Sequence, residues 1–99
     1  MKLEVRYANH PEDVKRYTTE ELREHFLIEK VFVPGEINLV YSHNDRIIAG
    51  GAEPLAEPLR LESGKELASD YFLQLREMGV INIGGKGYVL LDGKKYEMN

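Results

Sequence analysis

A mainly β fold, a sandwich or barrel with one short helix ahead of it, is what this sequence predicts. Three observations lead there. Runs of β-branched and aromatic residues recur from Leu27 onward, turn-forming residues interrupt them often, and the helical pattern precedes them all. Roughly six to eight short strands fit that punctuation.

The helix is placed by its start signal. Thr18-Thr19-Glu20-Glu21 offers a capping threonine and, three positions on, the glutamate that completes a capping box. Leu22 and Phe26 follow at i and i+4, an apolar stripe sufficient for a short helix. Residues 1–17 are polar with scattered aromatics and predict no element.

From Leu27 the period changes. Ile28, Val31, Phe32 and Val33 make a strand-like run closed by Pro34-Gly35. Ile37, Leu39 and Tyr41 alternate with Glu36, Asn38 and Val40, as in a half-buried strand. Ser42-His43-Asn44-Asp45 reads as a tight turn, and Arg46 to Ala49 as the next strand, ended by Gly50-Gly51. Between 52 and 70, Pro54 and Pro58 exclude a central strand but leave room for an edge pairing, and Ser63-Gly64-Lys65-Glu66 reads as a turn. Asp70 to Leu75 and Gly79 to Ile83 read as two more strands. Tyr88 to Leu91 and Lys94 to Met98 flank Asp92-Gly93, the strongest hairpin signal in the chain. The sequence stops directly after that strand, so further strands are expected to continue the sheet, and an open edge invites self-association.

Composition narrows the class. A chain of 99 residues allows one small domain, which buries about two-thirds of its unfolded surface. A net charge of −4 and the lack of a basic stripe argue against nucleic acid. No apolar stretch approaches the roughly 20 residues of a membrane span. Met1-Lys2-Leu3-Glu4-Val5-Arg6 lacks the apolar core of a signal peptide, so a cytoplasmic location is expected. Cysteine is absent, which removes disulfides and thiolate metal sites.

Few residues suggest chemistry. Gly84-Gly85-Lys86-Gly87 has Gly87 where a phosphate-cradling loop needs Ser or Thr, and no helix follows; it reads as a turn using positive φ. His10, His25 and His43 are isolated in sequence, so no complete metal site is expected in this chain. His10 reads as exposed and His25 as a solvated last-turn residue. His43, beside Asp45 and Arg46, is a candidate ligand contact, the alternative being turn hydrogen bonding. Arg46 is the more informative cation, because a guanidinium matches a carboxylate in bidentate fashion; the alternative is a salt bridge to Asp45. No catalytic residue can be named. The acids form no privileged pair, and neither a Gly-x-Ser-x-Gly elbow nor a cysteine nucleophile exists.

Two long blocks resemble a known family. Phe26-Leu27-Ile28-Glu29-Lys30-Val31-Phe32-Val33 followed by Val40-Tyr41-Ser42-His43-Asn44-Asp45-Arg46-Ile47-Ile48-Ala49-Gly50-Gly51 is similar to the N-terminal region of 5-keto-4-deoxyuronate isomerase. Tyr71-Phe72-Leu73-Gln74-Leu75-Arg76-Glu77-Met78-Gly79-Val80-Ile81-Asn82-Ile83-Gly84-Gly85-Lys86-Gly87 is similar in the same register, and Asp92-Gly93 and Tyr96-Glu97 continue it.

The resemblance implies a cupin-like fold, a double-stranded β-helix or jelly-roll, with two related barrel halves in a longer protein. Residues 1–99 would then be its truncated N-terminal part, with 1–26 an arm and helix and 27–99 a half-barrel. It implies the reaction of a 4-deoxy-L-threo-5-hexosulose-uronate ketol-isomerase, which interconverts 5-dehydro-4-deoxy-D-glucuronate and 3-deoxy-D-glycero-2,5-hexodiulosonate in pectin breakdown. It also implies a homo-oligomer, and zinc held by histidines and a glutamate of the C-terminal half. None of those ligand positions lies in this chain, so no bound zinc and no activity are expected from it alone. His43 and Arg46 remain the candidates to contact the uronate. The alternative is a stand-alone, non-catalytic small β-barrel that binds a sugar or serves assembly.

Overall fold

A strand that the residue pattern did not announce opens the chain. In the computed structural model, which describes residues 1–99, Lys2–Arg6 form β1. It pairs in parallel with β2, Ile37–Ser42, which pairs antiparallel with β3, Ile47–Ala52. The sheet order is β1-β2-β3. Parallel neighbours need a long crossover, and residues 7–36 supply it. Two helices lie on that crossover, not the single one expected: α1, Pro11–Val14, and α2, Thr19–Phe26.

The predicted capping box of α2 is formed in full. The Glu21 N–H donates to Thr18 Oγ1 at 3.2 Å, and the Thr18 N–H donates to Glu21 Oε1 at 3.0 Å. Those hydrogen bonds, the backbone one foremost, hold the Glu21 carboxyl below its ordinary pKa, because they favour the ionised form. At α1 the cap is His10, whose Nδ1 accepts from the Glu12 N–H at 3.1 Å. His10 is exposed, as the sequence suggested.

The second sheet is a hairpin of β4, Gly87–Leu91, and β5, Lys94–Met98. Asp92 and Gly93 both take positive φ, 50° and 79°, as the two-residue turn of a twisted hairpin requires. Neither sheet closes on itself, so the chain is mainly β but does not form a sandwich or closed barrel.

Several expected strands are absent, each for a local reason. Ile28 to Val33 do not pair as a strand. The Val31 carbonyl and the Phe32 ring lie over Gly51 of β3, and the Asn38 side chain donates to the Lys30 carbonyl at 2.6 Å. The glycine pair therefore sits inside β3 and does not end it, since β3 runs on to Ala52. A Cβ at Gly50 would strike the Asn38 carbonyl oxygen, and one at Gly51 would come within 2.8 Å of Val31 and Phe32. Close approach of backbone is why β3 carries glycine twice.

Residues 70–75 turn where a strand was expected. The Asp70 N–H donates to Gln74 Oε1 at 2.6 Å, and the Gln74 N–H to the Tyr71 carbonyl at 3.1 Å, so side chain and backbone close the segment on itself. Gly79 to Ile83 has no partner strand either; Ile81 and Ile83 are strongly exposed. Asn82 instead accepts from the Gly84 N–H and donates to the Gly85 carbonyl, bending residues 84–86. That bend is made without positive φ at Gly84, Gly85 or Gly87, contrary to expectation. Residues 52–70 form no edge strand, only an isolated bridge between Pro34 and Glu53 and a 3-10 turn at Lys65–Leu67.

The buried core is small: Ile37, Val40, Leu67 and Phe72. Two of the four belong to β2, because a central strand is flanked on both sides. Leu39 and Tyr41 stay half-buried, so the expected alternation is blurred in this strand.

Candidate functional site

The surface that gathers chemistry-bearing side chains grows directly from the strand register. Parallel pairing sets Arg6 opposite Ser42, and the His43 N–H continues the ladder by donating to the Arg6 carbonyl at 2.8 Å. The next residue after Arg6 is Tyr7, so Tyr7 and His43 meet as neighbours. Their rings stack at 5.5 Å between centroids and 11° between planes. Tyr41, two residues before His43, also stacks with it, at 4.4 Å and 13°.

Arg76 extends this row. Its guanidinium carbon lies 5.8 Å from the Tyr41 ring centroid and 6.0 Å from that of Phe72. Its Nε is buried and has no hydrogen-bond partner. A buried donor without an acceptor costs about 1–3 kcal/mol, so this atom calls for an explanation. The ion pairs of the chain engage Arg6, Lys15, Arg16 and Arg23, and none engages Arg76.

A second polar cluster stands beside His43. Asn44 and Asn9 exchange two hydrogen bonds, at 2.9 and 3.0 Å, tying the β2–β3 turn to the segment after β1. Asn9 also donates to the Tyr17 hydroxyl at 3.0 Å and lies 3.1 Å from His25 Nδ1. His25 is stacked on Tyr17 at 4.9 Å and is half-buried, not the solvated helix-end residue that the sequence suggested.

The two residues singled out from sequence are thus placed differently. His43 stacks with two rings, and its side chain makes no turn hydrogen bond. Arg46 is exposed in the turn at φ 53° and makes no salt bridge to Asp45 or to any other acid. Arg76, Tyr7 and Tyr41 were not singled out. The Tyr41-x-His43 spacing was the available signal, since residues two apart on a strand share a face.

Zinc does not fit the residues of this chain. Among the imidazole nitrogens, His25 Nδ1 faces Asn9 and His10 Nδ1 caps α1. No three histidine or carboxylate side chains converge. No helix is long and apolar enough to cross a membrane.

Fold and site together define an open, mainly β segment presenting an aromatic row that ends in a free guanidinium. No protein-family model matches the chain. Curated relatives do. It is 58% identical over 97 residues to a 4-deoxy-L-threo-5-hexosulose-uronate ketol-isomerase of Halalkalibacterium halodurans, covering 98% of this chain. It is 54% identical over 96 residues to one from Enterococcus faecalis and 57% identical over 96 residues to one from Lachnoclostridium phytofermentans, each covering 97% of it. The chain is therefore similar, along nearly all of its length, to an N-terminal portion of these ketol-isomerases. It spans about 35% of the length of these relatives.

Proposed function

We propose that this chain serves as the N-terminal part of an enzyme converting 4-deoxy-L-threo-5-hexosulose-uronate, the sugar acid in its relatives' names, by ketol isomerisation. The observation that carries the reading is identity of 50–58% extending over nearly all of the chain in the several relatives bearing that name.

The chemistry assigns the work unequally along the longer protein. Moving a carbonyl along a sugar requires removal of an α-proton and stabilisation of an enediolate. A zinc ion bound by the rest of the protein would supply Lewis-acid stabilisation of that charge. This chain's share is binding and support, through the Tyr7–His43–Tyr41 row and the exposed Arg46. In this reading residues 27–99 contribute strands to a cupin-like barrel completed by the remainder, and the protein assembles as a homo-oligomer in the cytoplasm, in pectin and uronate breakdown. The small core and the unclosed sheets suit a segment that relies on further packing.

The test is an isomerisation assay on the full-length gene product, before and after chelation and zinc restoration, with residues 1–99 assayed in parallel. Turnover by the long protein that chelation stops and zinc restores is expected. Turnover by residues 1–99 alone would sink the division of labour.

A further inference from the structure

We infer that Arg76 is a carboxylate receptor, and that the carboxylate it takes up is that of the sugar acid. This deepens the isomerase reading and rests on it.

A guanidinium carries five N–H donors in a planar fork that fits a carboxylate. The guanidinium of Arg76 lies over the Tyr41 and Phe72 rings, and Phe72 is one of the four buried side chains of the core. A cation held over ring faces is attracted by them without consuming its donors. Those donors are unused: Arg76 has neither ion pair nor side-chain hydrogen bond here, and its Nε is buried without an acceptor. Seventeen acidic residues are present in the chain, yet none pairs with it. A cation left unpaired amid so many acids is suited to an anion from outside the chain.

The isomerase reading supplies a sugar acid as that anion, through the name its relatives carry. Tyr41 hands the stack on to His43 and Tyr7, and Tyr7 is 74% exposed. Arg46 lacks such ring support and lies exposed in its turn, so it is less well placed to discriminate. The same carboxylate chemistry could come from an acidic side chain in the rest of the longer protein, and the experiment separates the two sources.

The experiment uses the full-length protein and its R76Q and R76K variants. In R76Q we expect KM for 4-deoxy-L-threo-5-hexosulose-uronate to rise about 10- to 100-fold with kcat within about threefold, and R76K to recover part of the loss. D-galacturonate should raise the Tm of the wild type but not of R76Q, whereas neutral D-galactose should treat them alike. Unchanged KM in R76Q overturns the inference while leaving the isomerase reading intact. A lower Tm in R76Q with KM and the galacturonate response unaltered assigns the carboxylate to the protein itself and also overturns it. Should R76Q not fold, R76K decides by the same readouts. If the wild type does not isomerise, the functional reading fails. The galacturonate response of wild type against R76K then decides alone, and equal responses overturn the inference.

Discussion

His43 lies flat against Tyr41, with ring centroids 4.4 Å apart and planes inclined by 13°. Tyr7 stacks with the same imidazole, so His43 is the ring shared by two pairs that join β1 to the end of β2. Aromatic pairs of this kind contribute about 0.5–1.5 kcal/mol each beyond area burial. His43→Ala should therefore destabilise the protein by about 1–3 kcal/mol, while His43→Phe should keep most of the wild-type stability. Urea melts check this. Equal midpoints for both variants and the wild type would show that the stack contributes nothing.

Gly51 predicts a sharp contrast among glycines. An added Cβ there meets the Val31 carbonyl at 2.7 Å and the Phe32 ring at 2.8 Å, whereas at Gly85 it meets nothing within 4 Å. Gly51→Ala should cost about 1–3 kcal/mol through overpacking, and Gly85→Ala should be near neutral. Thermal denaturation of the two variants side by side is the measurement. A neutral Gly51→Ala would mean that residues 31–33 do not lie over β3.

At the start of α2 the expected effect depends on pH. Glu21 is held below its ordinary pKa by hydrogen bonds from Thr18, first from its backbone N–H. A depressed carboxyl contributes stability that is fully present above the unfolded value of about 4.3 and is lost as pH falls through the folded value. The advantage of the wild type over Glu21→Gln should accordingly be full near neutrality and fade below about pH 4. Thr18→Ala should remove the cap at a cost of about 1 kcal/mol. Amide exchange of residues 19–26 across that pH range reads both effects, and a pH-independent difference would contradict the first.

Gly93 tests the hairpin. Its φ of 79° is in the left-handed region, and an added Cβ would meet no atom within 4 Å, so only backbone conformation opposes substitution. Gly93→Ala should cost about 1 kcal/mol, and Asp92→Asn almost nothing, because asparagine tolerates that region. Amide exchange in β4 and β5 would register the difference. Equal protection in the two variants would rule out the assigned turn.

The elements legible in the sequence are those decided within a few residues. The Thr18–Glu21 box needs one helical turn, and Asp92-Gly93 needs only its own two φ angles. Each is written in residue types, so α2, the hairpin and the alternating stretch of β2 could be read directly. The resemblance to the ketol-isomerases was also legible, because long blocks of sequence carry it without reference to shape.

What tertiary structure alone decided is which distant segments meet. Apolar runs at 70–75 and 79–83 have the composition of strands, but a strand requires a partner; the first closes into turns and the second stays unpaired. β1 looks like polar chain and becomes a strand because β2 offers it an edge. The site follows the same rule: Asn9 and Asn44 bond across 35 positions, and Tyr7 reaches His43 only through the parallel register. Caps and turns are satisfied by neighbours in sequence, whereas ring stacks and a stacked guanidinium depend on contacts that folding must bring together.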